Sequence, residues 1–364
     1  MGSTWGNHLK ISLFGESHGR GIGVVIDGLP PGRPIDPAVL QAFMDRRAPG
    51  GTPWSTPRKE TDRAEILSGL YDGKTTGTPL AMLIRNQDTH SADYSLHSRL
   101  PRPGHADLTG MMRYQGFGDP RGGGHFSGRL TAPLTFAGAI ADQILSARGV
   151  RIVAHIASIG GIKDARFDPV RPDAEQLKHL RRDRFPVLDA SRGRAMIDAV
   201  ETARRSLDSI GGTVEVMALG YPAGLGDPMF GGLEPRLASL YFGIPAVKGV
   251  EFGAGFGVAE RNGSDNNDSP VVTGDGTARR VQMRTNHAGG CDGGISTGMP
   301  VIARLAFKPT PSIARQQDTV DLGHLVNETV EIRGRHDPCI VPRAVPVVEA
   351  ATALVLLDIL LSAD

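Results

Sequence analysis

Five short segments of the chain combine glycine with histidine, arginine or an acidic residue. They are residues 15–19 (GESHG), 102–107 (RPGHAD), 121–129 (RGGGHFSGR), 286–296 (NHAGGCDGGIS) and 334–339 (GRHDPC), and a sixth segment, 307–312 (FKPTPS), adds a lysine. Glycine lets backbone N–H groups approach an anion closely, and arginine binds phosphate or carboxylate through paired hydrogen bonds. A histidine beside glycine titrates near neutral pH, as a general acid must. Together the segments predict a site that is assembled from distant parts of the chain and binds a polyanion.

Several of these patterns have a second interpretation. Residues 15–19 match the G-x-S-x-G turn of serine hydrolases, which would make Ser17 a nucleophile. That turn needs a helix after it, whereas residues 21–25 continue as a strand, so a glycine turn with a capping serine is favoured. Residues 69–75 resemble a phosphate-binding P-loop but are one residue short, and 253–257 is a weak nucleotide-binding pattern. A serine esterase and a non-enzymatic anion-binding protein therefore remain as alternatives.

The histidines and cysteines do not have the spacing of a metal site. No histidine pair is separated as in H-x3-H, and Cys291 and Cys339 stand far apart. Two cysteines cannot form a disulfide framework, and they fit a reducing compartment. The sequence thus predicts no metal centre, and it leaves open whether either thiol is reactive.

The composition excludes several classes of protein. Among 364 residues, 40 Lys and Arg against 39 Asp and Glu leave a net charge of +1, without the basic excess of a nucleic-acid-binding protein. The N-terminus lacks the apolar core of a signal peptide, and the run at 355–361 is too short to span a bilayer. The 48 glycines and 26 prolines are spread between apolar segments and indicate many ordered loops. We expect a cytoplasmic protein without nucleic-acid or membrane partners.

The apolar patterning predicts interleaved strands and helices. The predicted strands are 22–26, 151–159, 213–219, 246–252 and 299–307, and the predicted helices are 37–47, 134–148, 198–209, 235–242 and 345–361. Asp36 and Pro37 are typical of a helix N-cap and first turn. Because the elements lack the regular strand–helix alternation of a doubly wound sheet, they favour an α+β fold in one domain over residues 1–364.

The ordered set of motifs resembles the chorismate synthase family. The matching motifs are GESHG, RPGHAD, RGGGxxSxRxTA, NHAGGxxGGISxGxP, KPxxSI and GRHDPCxxxRAVP, between about Leu9 and Leu361. The resemblance implies a β-α-β sandwich with helices layered between antiparallel sheets, and a homotetramer. Each motif alone is of modest specificity, but their order along the chain is highly specific.

The resemblance also implies a reaction. Family members convert 5-enolpyruvylshikimate 3-phosphate into chorismate by 1,4-anti-elimination of phosphate, using reduced FMN with no net redox change. The substrate carries one phosphate and two carboxylates, which accounts for the arginines in the motifs. NADPH is a candidate reductant, but the length leaves no room for a reductase domain, so we expect FMN to be reduced elsewhere.

Matched positions assign roles to individual residues. His18 resembles the acid near the departing phosphate, His105 resembles the histidine against the reduced flavin ring, and Asp337 resembles the carboxylate that helps remove the proton. Ser17 and Ser127 resemble supporting polar groups. The residues that resemble substrate-anion ligands are Arg47, Arg129, Arg335 and His18. The residues that resemble FMN contacts are His125, Phe126, Ser127, Ala246, Gly293, Lys308, Pro309, Thr310, Pro311, Ser312 and Arg335.

The chain departs from the family pattern at three places. Ala48 replaces an arginine that many members have, and Pro53 replaces another, whose charge Arg58 or Lys59 could supply. His125 and Phe126 stand where many members have arginine and serine. The contacts that these positions make are therefore left open.

Overall fold

The computed structural model describes residues 2–50, 52, 54, 62–86, 99–332 and 336–363. The strands are β1 (Thr4–Trp5), β2 (Lys10–Gly15), β3 (Gly21–Asp27), β4 (Glu65–Ile66), β5 (Leu70–Tyr71), β6 (Lys74–Thr75), β7 (Leu80–Arg85), β8 (Arg151–Ile159), β9 (Ile162–Lys163), β10 (Gly212–Leu219), β11 (Val247–Phe252), β12 (Pro270–Thr273), β13 (Arg280–Met283), β14 (Cys291–Asp292), β15 (Ile295–Ser296), β16 (Val301–Phe307), β17 (Gln316–Asp321) and β18 (Val326–Glu331). The helices are α1 (Pro37–Arg47), α2 (Asp107–Arg113), α3 (Thr131–Ser146), α4 (Ala174–Leu180), α5 (Ala190–Arg205), α6 (Leu233–Gly243), α7 (Gly263–Asn266) and α8 (Val341–Ala363).

Two five-stranded antiparallel sheets form the outer layers of the main core. The first has the order β1-β2-β3-β7-β4, and the second has the order β11-β16-β10-β8-β9. In the first sheet Ile22, Val24 and Ile26 alternate with more exposed residues, so one face is buried. In the second sheet Val214 and Val216 point toward the same hydrophobic cluster. Each sheet therefore contributes an apolar face to a shared interior.

Helices fill the layer between the sheets. Helix α8 packs on α3 and on the second sheet, while α3 packs on the first sheet and α1 packs on both helices. Helix α8 is long and apolar enough to cross a membrane by composition, but 94% of its most apolar window is buried inside the fold. It is thus the central core helix of the sandwich.

A buried ion pair joins the layers. Arg46, near the end of α1, donates to Glu349 of α8 at 2.6 Å, and the other Glu349 oxygen accepts from the backbone N–H of Ala154 in β8 at 2.9 Å. At the start of α1, the Asp36 carboxylate accepts from the Ala38 N–H at 2.8 Å, as an N-cap should. These contacts fix α1, whose last residue borders the site described below.

The predicted α+β class and β-α-β sandwich are confirmed, and most elements lie where the patterning placed them. Strand β8 has the predicted bounds, 151–159. The helix predicted at 198–209 instead begins at Ala190, because Asp189 caps it by accepting from two backbone N–H groups. Gly193 lies in the added part of the helix, and a Cβ at this position would lie 2.7 Å from the Val187 side chain, so close packing favours glycine.

Candidate active site

A cavity of about 730 Å³ opens where several elements end together. Its lining includes the last residue of α1, the first residues of α3 and α8, the end of α6 and the end of β16. The volume lies within the range of about 300–1,000 Å³ that is usual for small-molecule sites. Because α3 and α8 present their N-terminal ends to this space, their dipoles favour a bound anion.

The cavity brings together residues from four of the six segments singled out in the sequence. The predicted site residues on its wall are Arg47, His105, His125, Phe126, Ser127, Arg129, Ala246, Lys308, Thr310, Pro311, Ser312 and Asp337. Residues 15–19 lie directly behind this wall, as described below. The segment 286–296 does not reach it within the described part of the chain.

Arg47 and Arg129 share one buried carboxylate, and we call Arg47, Asp62 and Arg129 the cavity cluster. Arg47 Nη1 lies 2.6 Å from Asp62 Oδ2, and Arg129 Nη1 donates to Asp62 Oδ1. Burial lowers the pKa of Arg47 to about 10, against the opposing attraction of Asp62. Burial acts to raise the pKa of Asp62, but the two guanidinium groups hold it below its usual value. Among the described residues, the cluster thus sets two cations against one anion.

Three consecutive glycines let His18 approach the cavity wall. Gly122, Gly123 and Gly124 all have positive φ, between 52° and 96°. A Cβ on Gly122 would lie 2.0 Å from Nδ1 of His18 and 2.9 Å from Oγ of Ser17. Since Gly122 itself lines the cavity, the imidazole of His18 sits immediately behind the backbone there.

Ser17 fixes the orientation of His18. Its Oγ lies 3.2 Å from His18 Nδ1, and its backbone N–H donates to the Gly124 carbonyl at 3.1 Å. After Gly19 the chain turns and enters strand β3. The strand–turn–helix context of a hydrolase nucleophile is therefore not found at Ser17, which disfavours the esterase alternative. Residues 69–75 form the β5–β6 hairpin, so they are not a P-loop either.

His105 is held against the lysine segment. Its Nε2 lies 2.6 Å from Oγ of Ser312, and Lys308 Nζ donates to the Gly104 carbonyl at 2.6 Å. Burial, followed by the positive charge of Arg102, lowers the pKa of His105 to about 4. The imidazole is consequently neutral at pH 7 in the protein alone.

His125 and Phe126, two of the departures from the family pattern, form another part of the wall. His125 Nδ1 lies 2.9 Å from the Gly15 carbonyl oxygen, and its Nε2 lies 2.8 Å from Oγ of Ser3. Both ring nitrogens thus have partners within the chain. The ring of Phe126 lies 6.1 Å from that of Tyr114, which also lines the cavity. His125 and Phe126 thus give this wall an aromatic surface.

Asp337 precedes α8 and is tied to α1. Its carboxylate accepts from Arg343, whose Nε donates to the carbonyl of Arg47 at 3.0 Å. Cys339 follows two residues later and is buried, and burial raises the pKa of its thiol to about 12. Burial likewise raises the pKa of Cys291 to about 12. Neither thiol would form a thiolate at neutral pH, which answers the question of a reactive cysteine.

Some of the residues assigned from the resemblance lie elsewhere. Gly293 is in the β14–β15 turn, where its neighbour Gly294 packs against Gly232, away from the cavity. Pro309 is next to the cavity residues Lys308 and Thr310 without lining it. Arg335, Pro53, Arg58 and Lys59 lie outside the described residues. Within those residues no group of three or more His, Cys, Asp or Glu could hold a metal ion.

Sequence reasoning missed five residues of this site. Asp62 and Thr131 bind Arg47, Arg102 pairs with Asp107 at 2.7 Å beneath His105, and Arg343 holds Asp337. Arg102, Asp107 and Arg343 fall inside the quoted motifs, so their charge was a usable signal. Nothing near Asp62 in the sequence marks it, because its partners are 15 and 67 positions away.

Comparisons with known proteins agree over nearly the full length of the chain. A family model described as Chorismate synthase matches residues 9–361. Proteins named chorismate synthase from Aeropyrum pernix and Methanocella arvoryzae are each 48% identical, covering 98% and 99% of this chain and 92% and 95% of their own length. One from Dehalococcoides mccartyi is 46% identical and covers 100% of this chain and 98% of its own length. A crystal structure of chorismate synthase superposes with a TM-score of 0.76 at 29% identity, covering 99% of this chain and 93% of that one.

Proposed function

The chain belongs to the chorismate synthase family, and on that premise we propose that its cavity is where phosphate is eliminated from 5-enolpyruvylshikimate 3-phosphate. The chain is a carbon–oxygen lyase of the shikimate pathway, the route to aromatic amino acids. The observation that carries the proposal is the joint presence, on one cavity, of Arg47, Arg129, His105 and Asp337. These are residue types that can bind anions and move protons.

The family implies a requirement for reduced flavin, and the cavity suits FMN. Phe126, Tyr114 and Pro311 offer apolar surface for a planar ring, and Lys308 offers a cation for a phosphate or an anionic ring. Reduced FMN, when bound, supplies reversible electron donation, so the elimination needs no net oxidation. We propose Ser127, Ala246 and residues 308–312 as its contacts, with His125 and Phe126 beside them.

The cavity cluster is proposed to bind the anionic groups of the substrate. Its surplus positive charge and the N-termini of α3 and α8 act in the same direction. His18 would donate a proton to the departing phosphate, with Ser17 holding the ring in orientation. Because Gly122 has no side chain, the imidazole of His18 can lie directly against the backbone of the cavity wall.

His105 is proposed to respond to the charge of the bound ligand, and Asp337 is proposed to accept the proton from the substrate. His105 is neutral in the protein alone, and a bound anion would raise its pKa because the ion favours the imidazolium form. Arg343 holds the carboxylate of Asp337 in place through the hydrogen bond described above. Asp337 then accepts the proton that leaves the substrate. Arg335 and Gly293 remain proposals from the resemblance alone.

We further propose a cytoplasmic homotetramer that receives FMN reduced elsewhere, with NADPH as the alternative reductant. Family membership supports the small-molecule substrate and the tetramer. Sedimentation equilibrium tests the oligomeric state, and anaerobic flavin spectra with NADPH test the reductant. Loss of the oxidised-flavin absorbance with NADPH and the protein alone would overturn reduction elsewhere.

The deciding experiment measures anaerobic phosphate release from the enolpyruvyl substrate, with and without dithionite-reduced FMN. We expect release only with reduced FMN. An esterase would act without flavin and be trapped by a serine-acylating reagent, and a plain anion-binding protein would bind the ligands without releasing phosphate. Asp337→Asn should keep FMN binding and lose about 10²–10⁴-fold in turnover. Asp198→Asn, at an exposed position of α5, is the matched control and should leave turnover unchanged.

A further inference from the structure

A buried carboxylate binds two arginines that line a cavity suited to anions. Asp62 is 2% exposed, and one of its oxygens faces each arginine of the cavity cluster. Its backbone φ of 42° lies in the left-handed region, which costs a non-glycine residue free energy. A negative charge here would weaken anion binding if charge alone mattered. Its position therefore needs another explanation.

Other donors of the two arginines also have partners in the fold. Arg47 Nε donates to Oγ1 of Thr131 at 3.1 Å, and its Nη2 donates to the Gly128 carbonyl at 3.2 Å. Arg129 Nε lies 3.4 Å from Oδ1 of Asn86. Each carboxylate oxygen of Asp62 accepts a hydrogen bond from Nη1 of one of the two arginines. The carboxylate thereby sets the distance between the two guanidinium groups.

Asp62 also offsets mutual repulsion. Burial lowers the pKa of Arg47, and Arg343 and Arg129 lower it further by their positive charge, whereas Asp62 raises it. Without Asp62, the two buried cations would lose the counter-ion that they share. Guanidinium groups that had moved apart would then have to be returned to their binding positions, which would reduce the free energy of ligand binding.

We propose that Asp62 is a positioning residue that holds Arg47 and Arg129 at a fixed spacing and keeps Arg47 in its charged form, so that the cavity is preorganised for a multiply charged anion. The inference rests on the proposed function, since it takes the enolpyruvyl phosphate as the anion. It assigns Asp62 no contact with the reacting atoms. Its effect passes through the two arginines.

Calorimetric titration of the enolpyruvyl substrate at pH 7, 8 and 9 tests this role. For Asp62→Asn we expect binding about tenfold weaker at pH 7, with a loss that grows toward pH 9 as unsupported Arg47 loses its proton. The wild-type protein should keep its affinity over this range. Glu65→Gln removes an exposed carboxylate three residues away and should behave as wild type.

Two results would overturn the inference. One is equal affinity of Asp62→Asn and wild type at all three pH values, and the other is tighter binding by the variant, which is what simple removal of a negative charge predicts. If Asp62→Asn does not fold, Asp62→Glu keeps the charge and alters the spacing. It should then bind about tenfold more weakly with no added pH dependence, and wild-type affinity would contradict the proposal. Absence of binding to the wild-type protein would instead refute the proposed function.

Discussion

The molecule buries ionisable side chains in two regions that differ in their access to ligands. One is the cavity cluster, and the other lies on the outer face of the second sheet, where His155, Asp164, Glu215 and Arg304 form what we call the sheet cluster. His155 lies 3.0 Å from Asp164 and 3.1 Å from Glu215, and Arg304 lies 3.3 Å from Glu215. Both clusters are nearly inaccessible to water and both are linked by ion pairs. Burial of charge alone therefore does not identify a functional site.

The two clusters differ in charge balance and in what covers them. In the sheet cluster, burial opposes protonation of His155, but its two carboxylate neighbours raise its pKa. Arg304 also pairs with Glu251 at 3.0 Å, so two cations face three anions there. The ring of Phe167 covers His155 edge-on, with centroids 4.6 Å apart. The cavity cluster instead has two cations for one anion among the described residues, and both of its arginines line a large cavity. Surplus charge together with access is what makes a buried cluster suited to binding.

The largest expected effect separates the two clusters by removing one arginine from each. Arg129→Ala should lower kcat/KM by about 10³-fold, because it removes a charge that is preorganised toward the substrate. Arg304→Ala should lower the free energy of unfolding by about 3 kcal/mol, since it leaves Glu215 without one buried partner. Its folded fraction should keep wild-type kcat/KM. Steady-state kinetics with denaturant titration measure both, and comparable kinetic losses would invalidate the distinction.

The next largest effect is expected from a change that alters how closely the imidazole of His18 approaches the cavity. Gly122→Ala should lower kcat by about 10–100-fold, because the added Cβ would overlap the imidazole and strain a backbone with φ of 63°. Gly128→Ala is the matched control, since no atom lies within 4 Å of the Cβ position there. Near-ultraviolet circular dichroism should show both variants folded. If the two variants had equal kcat values, proximity of His18 to the cavity would not matter.

A smaller effect on stability is expected when the pH is varied, because pH changes the protonation of His155 in the sheet cluster. The folded-state pKa of His155 is raised above 6.5, so its stabilising contribution is complete below about pH 6.5 and is lost as pH rises through the folded value. The melting temperature of wild type should fall by several degrees across that window, and the fall should be smaller in His155→Gln. His179→Gln, at an exposed position of α4, should follow wild type. An identical slope in all three proteins would assign the pH dependence to other groups.

Local signals predicted the elements of the fold better than they predicted the site. Strand β8 follows from a run of mostly apolar residues, and the start of α1 follows from Asp36 and Pro37, because these signals are local in sequence. The family resemblance drew attention to Arg47, Arg129, His105 and Asp337, and all four line the cavity. Asp62 could not be found in this way, since its role depends on two arginines placed by the fold.

The sheet cluster was missed for a related reason. Glu215 is the cross-strand neighbour of both His155 and Arg304, so antiparallel register places the three side chains in one row. In the sequence they are separated by 60 and 89 positions. Register depends on strand order, which the patterning did not supply. Residues whose roles depend on neighbours that are distant in sequence are therefore not identified from the sequence.

The smallest expected effect comes from ion pairs that have the same distances but are exposed to water. Glu201 of α5 lies 2.7 Å from Arg204 and 3.1 Å from Arg205, and hydrogen bonds from these arginines lower its pKa to about 2. Because solvent screens exposed pairs, Glu201→Gln should change the melting temperature at pH 7 by less than about 2 °C. Repeating the measurement in about 1 M salt, where screening acts within about 3 Å, should remove the remaining difference. A loss as large as that of Arg304→Ala would mean that distance, rather than burial, ranks the ion pairs of this protein.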